Sequence, residues 1–169
     1  MSFCLKKLPR EETIKMIAEK FGNLEPKCIE ASIILYKFMG DYERAMEEHF
    51  QKYHLSDGRF MVLITLLKSE EPMKATDIAN ELGVSRATMT GLLDGLTRDG
   101  YIAKKDCKND RRICFLSLTD KAKKQIDEML PAHFKSVADF FGCLSKQETT
   151  DLKKIITKLQ ENLTTFASN

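Results

Sequence analysis

Residues 73–102 read MKATDIANELGVSRATMTGLLDGLTRDGYI, and the fold turns on them. In the first part Ile78, Ala79 and Leu82 recur at helical spacing, which predicts a short helix over 77–82. Gly83 follows where a chain needs a positive φ to turn out of a helix. Ser85 is a good N-cap, because its hydroxyl can accept one of the free N–H groups of a first helical turn. It predicts a second helix over 86–98, with Met89, Leu92, Leu93 and Leu96 as the inward stripe and Gly100 as the stop. Two short helices joined by a glycine-containing turn of about four residues make a helix-turn-helix.

After Gly100 the hydrophobic period changes. Residues 101–106 and 112–118 read as strands around a polar loop, Cys-Lys-Asn-Asp, in which Asn109-Asp110 supplies turn chemistry. A hairpin directly after the second helix is the wing of a winged helix. Its tip is unusual in charge. The whole chain carries 27 basic and 25 acidic residues, yet Lys104 to Arg112 holds five basic residues against two acidic ones, a local +3.

On the N-terminal side, Ile29, Ile33, Tyr36, Met39, Met46 and Phe50 predict one long helix over 26–53, with Gly40 as its weak spot. Ser56 caps a helix over 57–68 that is expected to turn Phe60, Met61, Leu63, Ile64 and Leu67 inward, and Pro72 ends that region. On the C-terminal side a helix starts at Thr119 or Asp120 and runs toward Cys143, with Pro131 expected to kink or interrupt it. Ser145 to Glu148 is a capping box, S-x-x-E, and opens a last helix with Leu152, Ile155, Ile156, Leu159 and Leu163 on one face. The fold class is thus mainly α with a small β-hairpin wing (α+β). The expected layout is an N-terminal helical dimerisation region over 1–54, a winged helix-turn-helix over 55–118, and C-terminal dimerisation helices over 119–169. The terminal helices carry more apolar surface than a small winged helix can cover, which points to a homodimer.

Several classes lack support. No apolar run approaches the ~18 residues of a membrane span, and the start, MSFCLKKLPREETIK, has no secretory core. A cytoplasmic protein without a membrane partner is expected. Five cysteines (4, 28, 107, 114, 143) form no CxxC, and His49, His54 and His133 form no HxxxH, so neither a metal nor a cofactor is expected. No nucleophile–base spacing or phosphate loop suggests an enzyme.

The second helix has the make-up of a major-groove reader. With its apolar stripe inward, Ser85, Arg86, Ala87, Thr88, Thr90 and Gly91 remain on the outer face and N-terminal end. An Arg can bond two acceptors of guanine, while Thr can take phosphates or base edges. Ala87 and Gly91 are small enough for close approach, and a helix N-terminus favours phosphate. At the hairpin tip, Lys108, Arg111 and Arg112 would attract phosphate whatever the sequence, and an Arg there can enter a narrow minor groove. Asp110 repels phosphate, but a carboxylate two residues before an Arg can aim it through a bidentate pair.

These residues, above all ATDIANELGVSRATMTGLLDGLTRDGYIAKKDCKNDRRICFLSLTDKAKK with its NDRR and LSLT, resemble the MarR (multiple antibiotic resistance regulator) family of bacterial winged-helix transcription factors. The resemblance is close over residues 55–125 and leaves residues 1–25 outside. It implies a homodimeric repressor on a pseudo-palindromic double-stranded DNA operator, one reading helix per half-site. By position, Arg112 matches the wing Arg, Asp110 the acid that positions it, and Arg86, Thr88 and Thr90 the reading-helix contacts. The resemblance also implies release by a small-molecule effector or an oxidant. An effector cleft would be bordered by Tyr36, Met39, His54, Arg59 and Phe60. Peroxide-sensing members carry a Cys where this chain has Ser32; Cys28 lies one turn earlier, and Cys107 sits in the wing. A second reading stays open, a winged helix turned protein-interaction module that binds DNA only non-specifically.

Overall fold

The computed structural model describes residues 5–22, 24–106 and 114–168. The chain divides into two compact units, residues 1–118 and 119–169.

The first unit begins with α1 (Glu11–Lys20), which buries Ile14 and Ala18 and packs on α2 (Pro26–Gln51). The sequence pattern did not single out α1, because its apolar positions are few and set among charges. In α2, Pro26 fits the first turn, where its missing N–H costs nothing, and the chain continues through Gly40 without a break. Only Phe50 of α2 is fully buried, and its ring stacks on Phe60 at 4.2 Å. His54 then takes φ 57, a left-handed turn that ends the helix, and Leu55 returns an N–H to the Phe50 carbonyl at 3.2 Å.

Helix α3 (Asp57–Lys68) starts as expected, with the Ser56 Oγ accepting the Arg59 N–H at 3.3 Å. Its inward face differs from the one expected. Phe60, Val62, Leu63, Thr65 and Leu66 are buried, whereas Met61 and Leu67 are exposed. The helix is apolar almost all round, so periodicity could not select a face; neighbours on several sides did. A two-residue strand β1 (Met73–Lys74) leads into α4 (Ala75–Leu82), which starts two residues earlier than predicted because β1 feeds directly into its first turn. Gly83 ends α4 at φ 65, and its N–H bonds the Asn80 carbonyl at 3.3 Å. A Cβ at Gly83 would meet nothing within 4 Å. The cost of Gly83→Ala is therefore backbone strain alone, and a loss of about 1–2 kcal/mol is expected in a urea unfolding curve. No loss would mean that the turn relaxes.

Helix α5 (Arg86–Arg98) has the predicted bounds. β2 (Ile102–Asp106) and β3 (Cys114–Leu118) pair antiparallel from Ile102↔Leu118 to Asp106↔Cys114. Residues 112 and 113, expected in the second strand, lie outside the described residues. The sheet order is β1-β3-β2, so β3 is central and the wing is a three-stranded sheet rather than a bare hairpin. Met73 pairs with Leu116 and Lys74 with Phe115. Two residues are too few to show a strand period, which is why β1 escaped notice in the sequence. Leu63, Ile78, Met89, Leu96 and Leu116 are all fully buried side chains of this unit, each contributing roughly 1.5–3 kcal/mol by leaving water.

The second unit holds α6 (Asp120–Phe141) and α7 (Lys146–Ser168). Thr119 caps α6 by accepting the Ala122 N–H at 3.2 Å. The expected interruption at Pro131 does not occur, and α6 stays helical past it. Its buried positions, Ala122, Ile126, Met129 and His133, keep helical spacing on both sides of the proline, so burial outweighs one missing backbone bond. The capping box forms in both directions: Ser145 N–H donates to Glu148 Oε2 at 2.8 Å and Glu148 N–H to Ser145 Oγ at 3.2 Å. The bond from the Ser145 N–H holds the Glu148 carboxyl below its ordinary range. No helix among the described residues is long and apolar enough to cross a membrane.

Candidate nucleic-acid interface

Helices α4 and α5 pack through Ile78, Ala79, Met89 and Leu93, all buried. That packing decides what α5 shows outward. Met89 is 1% exposed, while Ser85, Arg86, Ala87, Thr88, Thr90 and Gly91 around it are all exposed. The six residues read from the sequence as the reading face are thus all exposed, around the outer side and N-terminal end of α5. Ser85 Oγ accepts the Thr88 N–H at 3.1 Å and lies 2.8 Å from the Thr88 hydroxyl, so the cap also orders Thr88. Thr90 donates its hydroxyl to the Arg86 carbonyl at 2.9 Å, leaving its lone pairs outward. Arg86 has no ion pair among the described residues, and its fork is available to an acceptor pair. A Cβ on Gly91 would meet nothing within 4 Å, so the face is flat there. A shallow cleft of ≈ 170 Å³ between α4 and α5 is bordered by Thr76, Arg86 and Thr90.

The wing is tied to α5 through its first strand. Lys104 Nζ lies 3.3 Å from Asp94 Oδ1, which removes one cation from the basic tip and braces β2 on the helix. Lys74, on the other edge, sits over the Phe115 ring at 5.9 Å. Lys108, Asp110, Arg111, Arg112 and Cys107 lie outside the described residues, and the described ladder closes at Asp106↔Cys114.

The residues expected at an effector cleft separate. Tyr36 and Met39 are exposed on α2 and line an open cleft of ≈ 420 Å³, together with Tyr42, Glu43, Met46 and Asp57. Phe60 instead stacks on Phe50 in the core, and His54 is exposed at its left-handed turn. Arg59 points to the far end of α5, where Nη2 meets Asp99 Oδ2 at 2.8 Å. The hydrogen bond from Arg59 is the main reason that the Asp99 carboxyl lies below its ordinary range, with Arg98 adding to it. The sequence reading missed Asp99; an acidic residue at a helix C-terminus, the wrong end for the dipole, was the available signal. Cys28 and Cys143 are exposed free thiols and Cys114 is half-buried. Among the described residues no group of three His, Cys, Asp or Glu could hold a metal ion.

Residues 55–114 match the sequence profile of the MarR family. The HTH-type transcriptional repressor YetL of Bacillus subtilis is 31% identical over 163 residues, covering 96% of this chain and 98% of YetL. The HTH-type transcriptional regulator PecS of Dickeya dadantii is 28% identical over 123 residues, 72% of this chain and 74% of PecS. In fold, the Staphylococcus aureus MepR–DNA complex superposes with a TM-score of 0.70 over 78% of this chain and 96% of that one, at 18% identity. Helix-turn-helix, three-stranded wing and a relative similar over nearly its whole length agree, and the chain belongs to the MarR family.

Proposed function

We propose that the protein is a transcriptional repressor that binds a pseudo-palindromic operator as a homodimer, with α5 in the major groove, and that a small effector releases it. The observation that carries this reading is the exposed N-terminal half of α5, with Arg86, Thr88 and Thr90 held outward by the burial of Met89 and Leu93. The repressor named in its relative YetL supports the sign of regulation. On this reading Arg86 takes a guanine edge, Thr88 and Thr90 take phosphates or bases, and the wing residues Lys108, Arg111 and Arg112 take backbone or minor groove, with Asp110 aiming Arg112.

The effector would occupy the cleft beside Tyr36 and Met39. Its walls are aromatic and thioether, with Glu43 and Asp57 as the acidic groups, which suits a planar apolar molecule with a polar or cationic edge. Such a ligand acts only by preferring one spacing of the two reading helices.

Selection of bound duplexes from a random pool tests this function. Enrichment of two inverted half-sites with centres roughly one helical turn apart, 10–10.5 base pairs, is the expected result. Recovery of random sequence would sink the operator reading and favour a protein-interaction module.

A further inference from the structure

We propose that Arg59 is a positioning residue for the reading helix: from the first turn of α3 it holds the last turn of α5, lying across Gly95 and pairing with Asp99. The proposal rests on α5 being the helix that enters DNA.

Two choices in α5 are locally unfavourable, and both face Arg59. Gly95 is a buried glycine inside a helix, where Ala would be better by roughly 1 kcal/mol. A Cβ at Gly95 would lie 2.3 Å from Arg59 Nη2, so the missing side chain is the space the guanidinium fills. Asp99 is the C-cap, where a carboxylate faces the negative end of the helix dipole. It is satisfied by Arg59 at 2.8 Å and by Arg98 Nε at 3.4 Å. The Arg59 side chain is 18% exposed, so its charge is partly withdrawn from water and fixed in place. One helical turn along α5, a second close approach backs the clamp: a Cβ on Gly58 would lie 3.3 Å from Leu92 Cδ2. α3 and α5 therefore meet where each lacks a side chain, and the contact sets their angle.

The consequence for reading is geometric. Arg86 and Arg98 bound α5, a span of about 18 Å at 1.5 Å per residue, so a tilt of about 3° at the clamp moves Arg86 by about 1 Å. A hydrogen bond to a base edge does not survive that displacement, whereas attraction to phosphate does. The clamp thus governs sequence discrimination more than overall affinity.

The test compares affinity for the selected operator with affinity for a random duplex at one salt concentration. The proteins are the wild type, Arg59→Met, Arg59→Lys and Gly95→Ala, each with thermal unfolding recorded. Arg59→Met is expected to lower the operator-to-random ratio about ten-fold, the scale of one base contact, with Arg59→Lys restoring part of it. Gly95→Ala is the sharper variant. It improves helix propensity, so its folded state persists, yet it displaces the guanidinium and is expected to lower the ratio as well. A selective wild type with unchanged ratios in Arg59→Met and Gly95→Ala overturns the assignment alone. A wild type with no preference for the operator overturns the reading of α5 and this assignment with it.

Discussion

The double variant Ile155→Glu, Leu159→Glu is expected to sediment as a monomer and to bind the operator at least 100-fold more weakly than the wild type. None of the described residues of α7 is buried, and Ile155, Leu159, Leu163 and Phe166 are exposed on it, Phe166 by 82%. An apolar stripe of that length on a helix is rare on a free surface and normal at an association face. Glu is a good helix former, and α7 is nucleated by its own capping box, so the substitutions leave the helix intact and place charges on its apolar face. On the proposed homodimer reading, what they remove is association. The effect on DNA follows from the linkage of two half-sites: once one reading helix is seated, the second binds at a high effective concentration, a gain of 10²–10⁴ that a monomer forfeits. Sedimentation and an operator titration check it together. A dimer of unchanged operator affinity would remove α7 from the interface.

How much of this was legible in the sequence depends on the size of the signal. The bounds of α3 and α5 were readable to the residue, because Ser56 and Ser85 are caps whose hydroxyls accept the Arg59 and Thr88 N–H groups. The turn at Gly83 was readable for the same kind of reason, since only glycine takes φ 65 without strain. The outward face of α5 was legible too: once Met89 is inward, helical geometry leaves Arg86, Thr88 and Thr90 outward. Tertiary choices were not. The inward face of α3 depended on neighbours that periodicity does not contain, and β1 exists only because β3 offers it a partner. Arg59 shows the limit most clearly. The family resemblance made it a candidate for the effector cleft, and nothing in the sequence pointed to the partner it takes in the fold, Asp99, forty positions along the chain. A pair so distant leaves only an indirect trace in the sequence, here a helical glycine and an acid at the wrong end of a helix.

Arg86→Ala is expected to lower operator affinity on the order of 100-fold or more, while affinity for a random duplex falls only slightly. A bidentate Arg–guanine contact is worth about 1–3 kcal/mol of discrimination, and a symmetric dimer loses it in both half-sites. Arg86 is the first residue of α5 and has no ion pair among the described residues, so none of the described contacts depends on its charge. Unfolding should therefore move by no more than a few tenths of a kcal/mol, as for an ordinary surface substitution. The wing behaves differently on the same reading. Arg112→Ala is expected to weaken the operator complex and to flatten its salt dependence, because that side chain neutralises phosphate charge around the minor groove. The slope of affinity against salt hence separates the two arginines: nearly unchanged when a base contact is lost, reduced by about one when a phosphate contact is lost. If Arg86→Ala instead reduced operator and random-duplex affinity equally, with a lower salt slope, Arg86 would be a backbone contact. Discrimination would then fall to Thr88, Thr90 and the shape of the DNA.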